Sequence, residues 1–200
     1  GNPEDLDAAT IEDVRAFFRK YYVPNNATLV LSGDFDSKKA LALVDKYFGP
    51  IPRGPEVPRR YPAKGDWQSS VPSPSGETRV EIEAGVELPR VYVSWSTPPL
   101  YTQEDGELDL VSHVLSGGKT SRLYKRLVYD LQIAQNVSAS QQSMELASVF
   151  QIVATAKPGH TAEELLALID EELAKLRTGG VTDAELGRAK TSILADSVFE

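Results

Sequence analysis

The spacing of apolar and polar positions along this chain changes several times, and each change marks an element. From Thr10 to Lys20 the apolar residues Ile11, Val14, Phe17 and Phe18 recur at helical spacing, and Thr10 with Asp13 is placed for a capping box. Pro24-Asn25-Asn26 ends that helix. The run Ala27-Thr28-Leu29-Val30-Leu31-Ser32-Gly33 is β-branched and apolar and is closed by glycine, which predicts a buried strand. Asp36 then caps a second predicted helix that turns Ala40, Leu43, Val44 and Tyr47 or Phe48 inward and stops at Gly49-Pro50. A helix–strand–helix unit of this size cannot bury both of its faces. It is therefore expected to complete a sheet begun upstream.

The stretch from Pro50 to Pro74 carries seven of the thirteen prolines, with Arg53, Arg59 and Arg60 among them. Proline fixes φ and removes a backbone donor, so an extended connector and a domain boundary are predicted here. Beyond it the period is two from Thr78 to Glu83 and again over Arg90-Val91-Tyr92-Val93-Ser94-Trp95-Ser96, which Pro98-Pro99 stops. Helices follow over Gln103–Leu115 and about Ser121–Tyr129. Ile133–Ser143 and Ala147–Ala156 then pair across a short polar turn. Thr161 with Glu164 and Thr182 with Glu185 open two further capped helices, separated by Gly179-Gly180. The order β-β-α-α-β-β-α-α predicts an α+β domain, an antiparallel sheet with helices packed on one face. The expected organisation is residues 1–49 as the tail of an upstream domain, 50–77 as linker, and 78–200 as a second α+β domain cut short at its C-terminus.

Composition narrows the partners. A net charge of −8 and a sequence pI of about 4.9 disfavour nucleic acid and anionic membrane, which need a basic face. No apolar run approaches the ~20 residues of a membrane span. The opening Gly1-Asn2-Pro3-Glu4-Asp5 has neither the charged nor the apolar part of a signal peptide, and Glu200 falls inside an apparent helix, so the segment is expected to be a fragment. There is no cysteine, and the only histidines are His113 and His160. Neither H-E-x-x-H nor H-x-x-E-H occurs, so no metal site is expected within the segment.

The remaining motifs have ordinary explanations. Gly117-Gly118-Lys119-Thr120 looks like the end of a phosphate-binding loop, but that pattern needs glycine where His113 stands and a strand before it. A helix C-cap leading into the next helix is the expected role. His113 follows Asp109 by one turn, so an Asp–His pair on one helix face is open to it, with no nucleophile or second ligand at compatible spacing. Glu163, Glu164, Asp170, Glu171 and Glu172 are expected on solvated faces or in first turns, where they complement the helix dipole. Tyr92 and Trp95 should point to opposite faces of their strand, one into the core.

Three passages, occurring in order, resemble the pitrilysin/insulinase-type zinc peptidases (the inverzincins) in their bacterial, processing-peptidase-like form. They are Thr10 to Asp34, Lys46-Tyr47-Phe48-Gly49-Pro50-Ile51-Pro52, and Leu115-Ser116-Gly117-Gly118-Lys119-Thr120-Ser121-Arg122-Leu123-Tyr124-Lys125-Arg126-Leu127-Val128. The resemblance implies a half-unit of two similar domains. The first holds zinc, which polarises the scissile carbonyl and activates water, and the second is a copy without metal. By this resemblance zinc is expected in the full-length protein upstream of Gly1, and catalytic, cofactor and metal residues are expected to be absent from the present segment. The implied partners are a peptide or unfolded protein substrate, the upstream zinc domain, and a second half-unit, fused or separate. The compartment stays open, a periplasmic one being compatible with the resemblance. In the zinc-free half the family often supplies an Arg and a Tyr to the transition state; those positions align with Val128 and Gln135, neither of which can stabilise an oxyanion. That departure favours a parent of the zinc-bearing kind. A scaffold subunit that has lost the zinc motif fits the same departure.

Overall fold

The computed structural model describes residues 2–57 and 76–199 and divides into two compact units, Gly1–Ala63 and Lys64–Glu200. Most of the expected proline-rich connector, including Arg59, Arg60 and Pro74, lies outside the described residues.

In the first unit α1 (Pro3–Ala8), α2 (Ile11–Tyr21) and α3 (Ser37–Phe48) are helical. The short α1 was not expected; it has proline in its first turn, where the missing N–H costs nothing, with Glu4 and Asp5 beside it. Thr10 and Asp13 form the expected capping box on α2, and the Asp36 carboxylate accepts from the N–H groups of Lys38 and Lys39 to start α3. Asn25 fastens the following chain, accepting from Gly54 N–H at 2.9 Å and donating to the Pro55 carbonyl at 3.0 Å. The expected strand Ala27–Gly33 does not form. Strands are made by ladder pairing, and the first unit has no second strand among its described residues. Leu29, Val30 and Leu31 accordingly remain 52, 80 and 52% exposed.

The second unit is a three-stranded antiparallel sheet in the order β1-β3-β2, with β1 at Arg90–Thr97, β2 at Ala134–Gln142 and β3 at Ser148–Ala156. Ile152 opposes Val93 and Ala139, and Ala154 opposes Val91 and Val137, so one face of the central strand is apolar right across the sheet. Onto that face pack Leu115 of α4 (Gln103–Ser116), Leu123 and Leu127, and Leu165 and Ile169 of α5 (Ala162–Gly179), all fully buried. The last helix, α6 (Asp183–Phe199), lies on α4. The opposite face carries Ser94, Ser96, Ser138, Ser140 and Gln151. The one-sided α+β arrangement expected from the pattern is therefore the one observed. Trp95 sits on the core side, its ring 6.1 Å from that of Phe150, while Tyr92 is 60% exposed on the polar side.

Two expectations change. Thr78–Glu83 forms no strand and leaves Val80 and Ile82 exposed, since alternation gives a strand only where a neighbour accepts its ladder. The helix expected over about Ser121–Tyr129 is a π-helical turn, Tyr124–Asp130, in which Leu131 N–H reaches the Arg126 carbonyl five residues back.

Candidate functional site

The third of the passages that carry the family resemblance, Leu115 to Val128, forms the corner between α4 and the π-helical turn. Gly117 closes α4 by donating its N–H to the His113 carbonyl, and Gly118 takes φ 105°, a conformation that favours glycine. Ser121 then bonds the Gly118 carbonyl through Oγ at 2.6 Å. The glycines thus turn one helix into the next, and a helix rather than a strand precedes them, as a phosphate-binding loop would not allow.

Arg122 is the centre of this corner. Its Nε and Nη2 donate to the two carboxylate oxygens of Glu185 at 2.7 and 2.8 Å, and Nη2 also donates to the Gly180 carbonyl at 2.8 Å. Both side chains are only 17% exposed. Glu185 also completes the Thr182 cap of α6. Arg122 and these bonds hold the Glu185 carboxyl down at about 2, well below its ordinary 4.5. The pair ties the α5–α6 turn to the corner, a positioning role with no reacting atom in it. Beside it His113, Thr120, Ser121, Glu185 and Arg188 line a cleft of about 30 Å³, room for a water or two and not for a peptide.

The histidines are engaged individually. His113 Nδ1 meets the Asp109 backbone carbonyl at 3.0 Å, not the Asp109 carboxylate, so the Asp–His pair open to it is not made. Its Nε2 lies 3.9 Å from Asp196 on α6. Desolvation, with Asp105 one turn away, raises the Asp109 carboxyl above its ordinary value. His160 pairs with Glu164 at the start of α5. Among the carboxylates expected to be solvated, Glu172 is a correction. It is 7% exposed and is held by Arg126 Nη1 at 3.0 Å and Lys175 Nζ at 2.7 Å. A buried carboxylate needs such partners, and Arg126 comes from another element, beyond the reach of local pattern.

The two positions aligned with the family's Arg and Tyr are also placed. Val128 packs against the core. Gln135 is exposed at a bulge where the β2–β3 register slips between Ala134 and Asn136. Gln132, just before, is held at φ 55°.

A fitting zinc site would need three or four converging His, Cys, Asp or Glu side chains. Among the described residues no group of three such side chains converges. The side chains described here therefore do not fit the metal, and no chemical step is assigned to it in this segment.

An antiparallel sheet covered on one face by helices, with Arg122 and Glu185 tying the corner to the α5–α6 turn, defines a domain of α+β class. The family model of the peptidase M16 inactive domain matches residues 8–193, and the chain belongs to that family. It is similar to the zinc protease PqqE of Helicobacter pylori, 30% identical over an alignment 201 residues long that covers 99% of this chain and 44% of the relative. A crystal structure of a protease from Helicobacter pylori superposes with a TM-score of 0.84 at 30% identity, covering 99% of this chain and 47% of that one. The M16 inactive domain from Pseudomonas fluorescens shares the fold at a TM-score of 0.79 and 19% identity, over 97% of this chain and 45% of its own. The chain thus spans somewhat under half the length of these relatives. No helix among the described residues is long and apolar enough to cross a membrane.

Proposed function

We propose that this chain is the non-catalytic C-terminal region of a zinc endopeptidase half, working by helping to enclose peptide substrate and by docking the partner half. The zinc site, in this reading, lies upstream of Gly1. The observation that carries it is the match of residues 8–193 to the inactive M16 domain, in a chain whose relatives are named zinc proteases and are about twice as long. Two physical features support it. The α2 residues Phe17, Phe18 and Tyr22 and the run Leu29–Leu31 are apolar yet about half exposed or more, as expected of surfaces completed by another part of the same protein. In the second unit Arg122, Glu185, Glu172 and Asp105 are tied up in bonds that hold elements together.

In this account the segment alone hydrolyses no peptide, and the organisation into a tail, a connector and a second domain is part of the same proposal. The test is peptidase activity of residues 1–200 beside that of the full-length protein on a quenched fluorescent peptide library. Activity confined to the longer chain is expected. Zinc-independent hydrolysis by residues 1–200 would overturn the reading. A full-length chain without zinc or activity would instead mark a scaffold subunit, a reading that Val128 and Gln135 also fit.

A further inference from the structure

At one end of the sheet, away from the Arg122 corner, the loop after β1 and the turn between β2 and β3 are joined, Leu100 N–H donating to the Met144 carbonyl at 2.9 Å. Three apolar side chains project from the join. Tyr101 is 93% exposed, Met144 49% and Leu100 38%. Tyr101 stands at φ 67°, a left-handed conformation that is strained for a non-glycine residue. Beneath it Asp105, 5% exposed, holds the knob together. The Asp105 carboxylate accepts from Ser143 Oγ at 2.7 Å, Gln141 Nε2 at 2.9 Å and Tyr101 N–H at 3.3 Å. The knob is therefore a braced projection carrying apolar groups into water.

Its surroundings are anionic. Glu104, Glu107 and Glu145, within a few residues of it along the chain, are exposed. The two segments that build this end contain no basic side chain at all, since no Lys or Arg lies between Arg90 and Lys119 or between Arg126 and Lys157. An acidic rim disfavours a second copy of this acidic chain. Three apolar side chains are also few beside the ~20–30 residues a side of a stable interface between folded proteins.

We propose that this knob is a docking point for a short peptide segment in which apolar residues alternate with lysines or arginines. The apolar residues cover Leu100, Tyr101 and Met144, and the cationic ones face Glu104, Glu107 and Glu145. The inference does not depend on the peptidase reading above, because it concerns binding by the chain as it stands.

The test is fluorescence anisotropy of residues 1–200 with three labelled synthetic peptides of equal length, built from Leu/Lys, Ser/Lys and Leu/Glu. Leu/Lys should bind, Ser/Lys at least about tenfold more weakly, and Leu/Glu not measurably, with affinity falling as salt rises. The variant Leu100→Ser/Tyr101→Ser/Met144→Ser should weaken Leu/Lys binding about tenfold. The variant Glu104→Gln/Glu107→Gln/Glu145→Gln should weaken it and flatten its salt dependence. Glu4→Gln/Asp5→Asn/Asp7→Asn removes as many charges from α1 and should change nothing, with circular dichroism confirming that each variant is folded. Equal binding of Leu/Lys and Ser/Lys, equal losses in the knob and α1 variants, or self-association abolished by the serine variant would each overturn the proposal.

Discussion

Glu185→Gln removes one charge from the Arg122 pair while keeping size and part of the hydrogen bonding. The Glu185 carboxyl is held at about 2 in the folded chain against 4.5 ordinarily, because Arg122 donates to both its oxygens and the Thr182 cap adds to them. That difference corresponds to about 3 kcal/mol favouring the folded state once the carboxylate is ionised. Both side chains are 17% exposed, so solvent screening removes only part of it. Because the folded value is the lower one, the contribution is complete above about pH 4.5 and fades as pH falls toward 2. Urea unfolding of residues 1–200, followed by circular dichroism at a series of pH values, measures it. Glu185→Gln should lose roughly 2–3 kcal/mol at pH 7, and the gap from the parent should close in the acid range. A loss below about 0.5 kcal/mol at neutral pH, or a gap independent of pH, would refute the assignment of Arg122–Glu185 as the tie between the α5–α6 turn and the corner.

Leu127→Ala empties a fully buried site between the π-helical turn and the sheet, and should cost about 2–5 kcal/mol in the same unfolding assay. Thr161→Ala removes the side chain that accepts Glu164 N–H at the start of α5, with an expected loss of about 1 kcal/mol in chemical denaturation. Gln132→Gly relieves a side chain held at φ 55° and should leave stability unchanged or raise it by up to about 1 kcal/mol, read as a higher melting temperature; a clear drop would show that the Gln132 side chain makes a contact worth more than its strain. Asp105→Ala leaves Gln141, Ser143 and Tyr101 N–H without their acceptor and should cost about 1–3 kcal/mol, measured by thermal unfolding.

What could be read from the sequence was whatever is decided within a few residues. The capping boxes at Thr10, Thr161 and Thr182 are local bargains between a hydroxyl and a carboxylate three residues on, and each is formed as read. Strands β2 and β3 were legible because each lies beside the other in sequence and a buried face selects the register. Ala27–Gly33 and Thr78–Glu83 have the same alternation or apolarity but no partner strand among the described residues, so pattern alone could not make them strands. Burial of Glu172 was illegible because its neutralising Arg126 sits on another element, 46 residues earlier. The Asp105 knob escaped for the same reason, since two of its three donors, Gln141 and Ser143, come from the β2–β3 hairpin. No signal within the α4 sequence marked Asp105 as different from Glu104 or Glu107.

The proposed function has this chain working beside a zinc centre that lies in another part of the protein. Elemental analysis of zinc per chain, on the full-length protein and on residues 1–200 purified side by side, tests it most directly. One equivalent of zinc is expected in the full-length protein and none above background in residues 1–200. Stoichiometric zinc on residues 1–200, or none on the full-length protein, would contradict it.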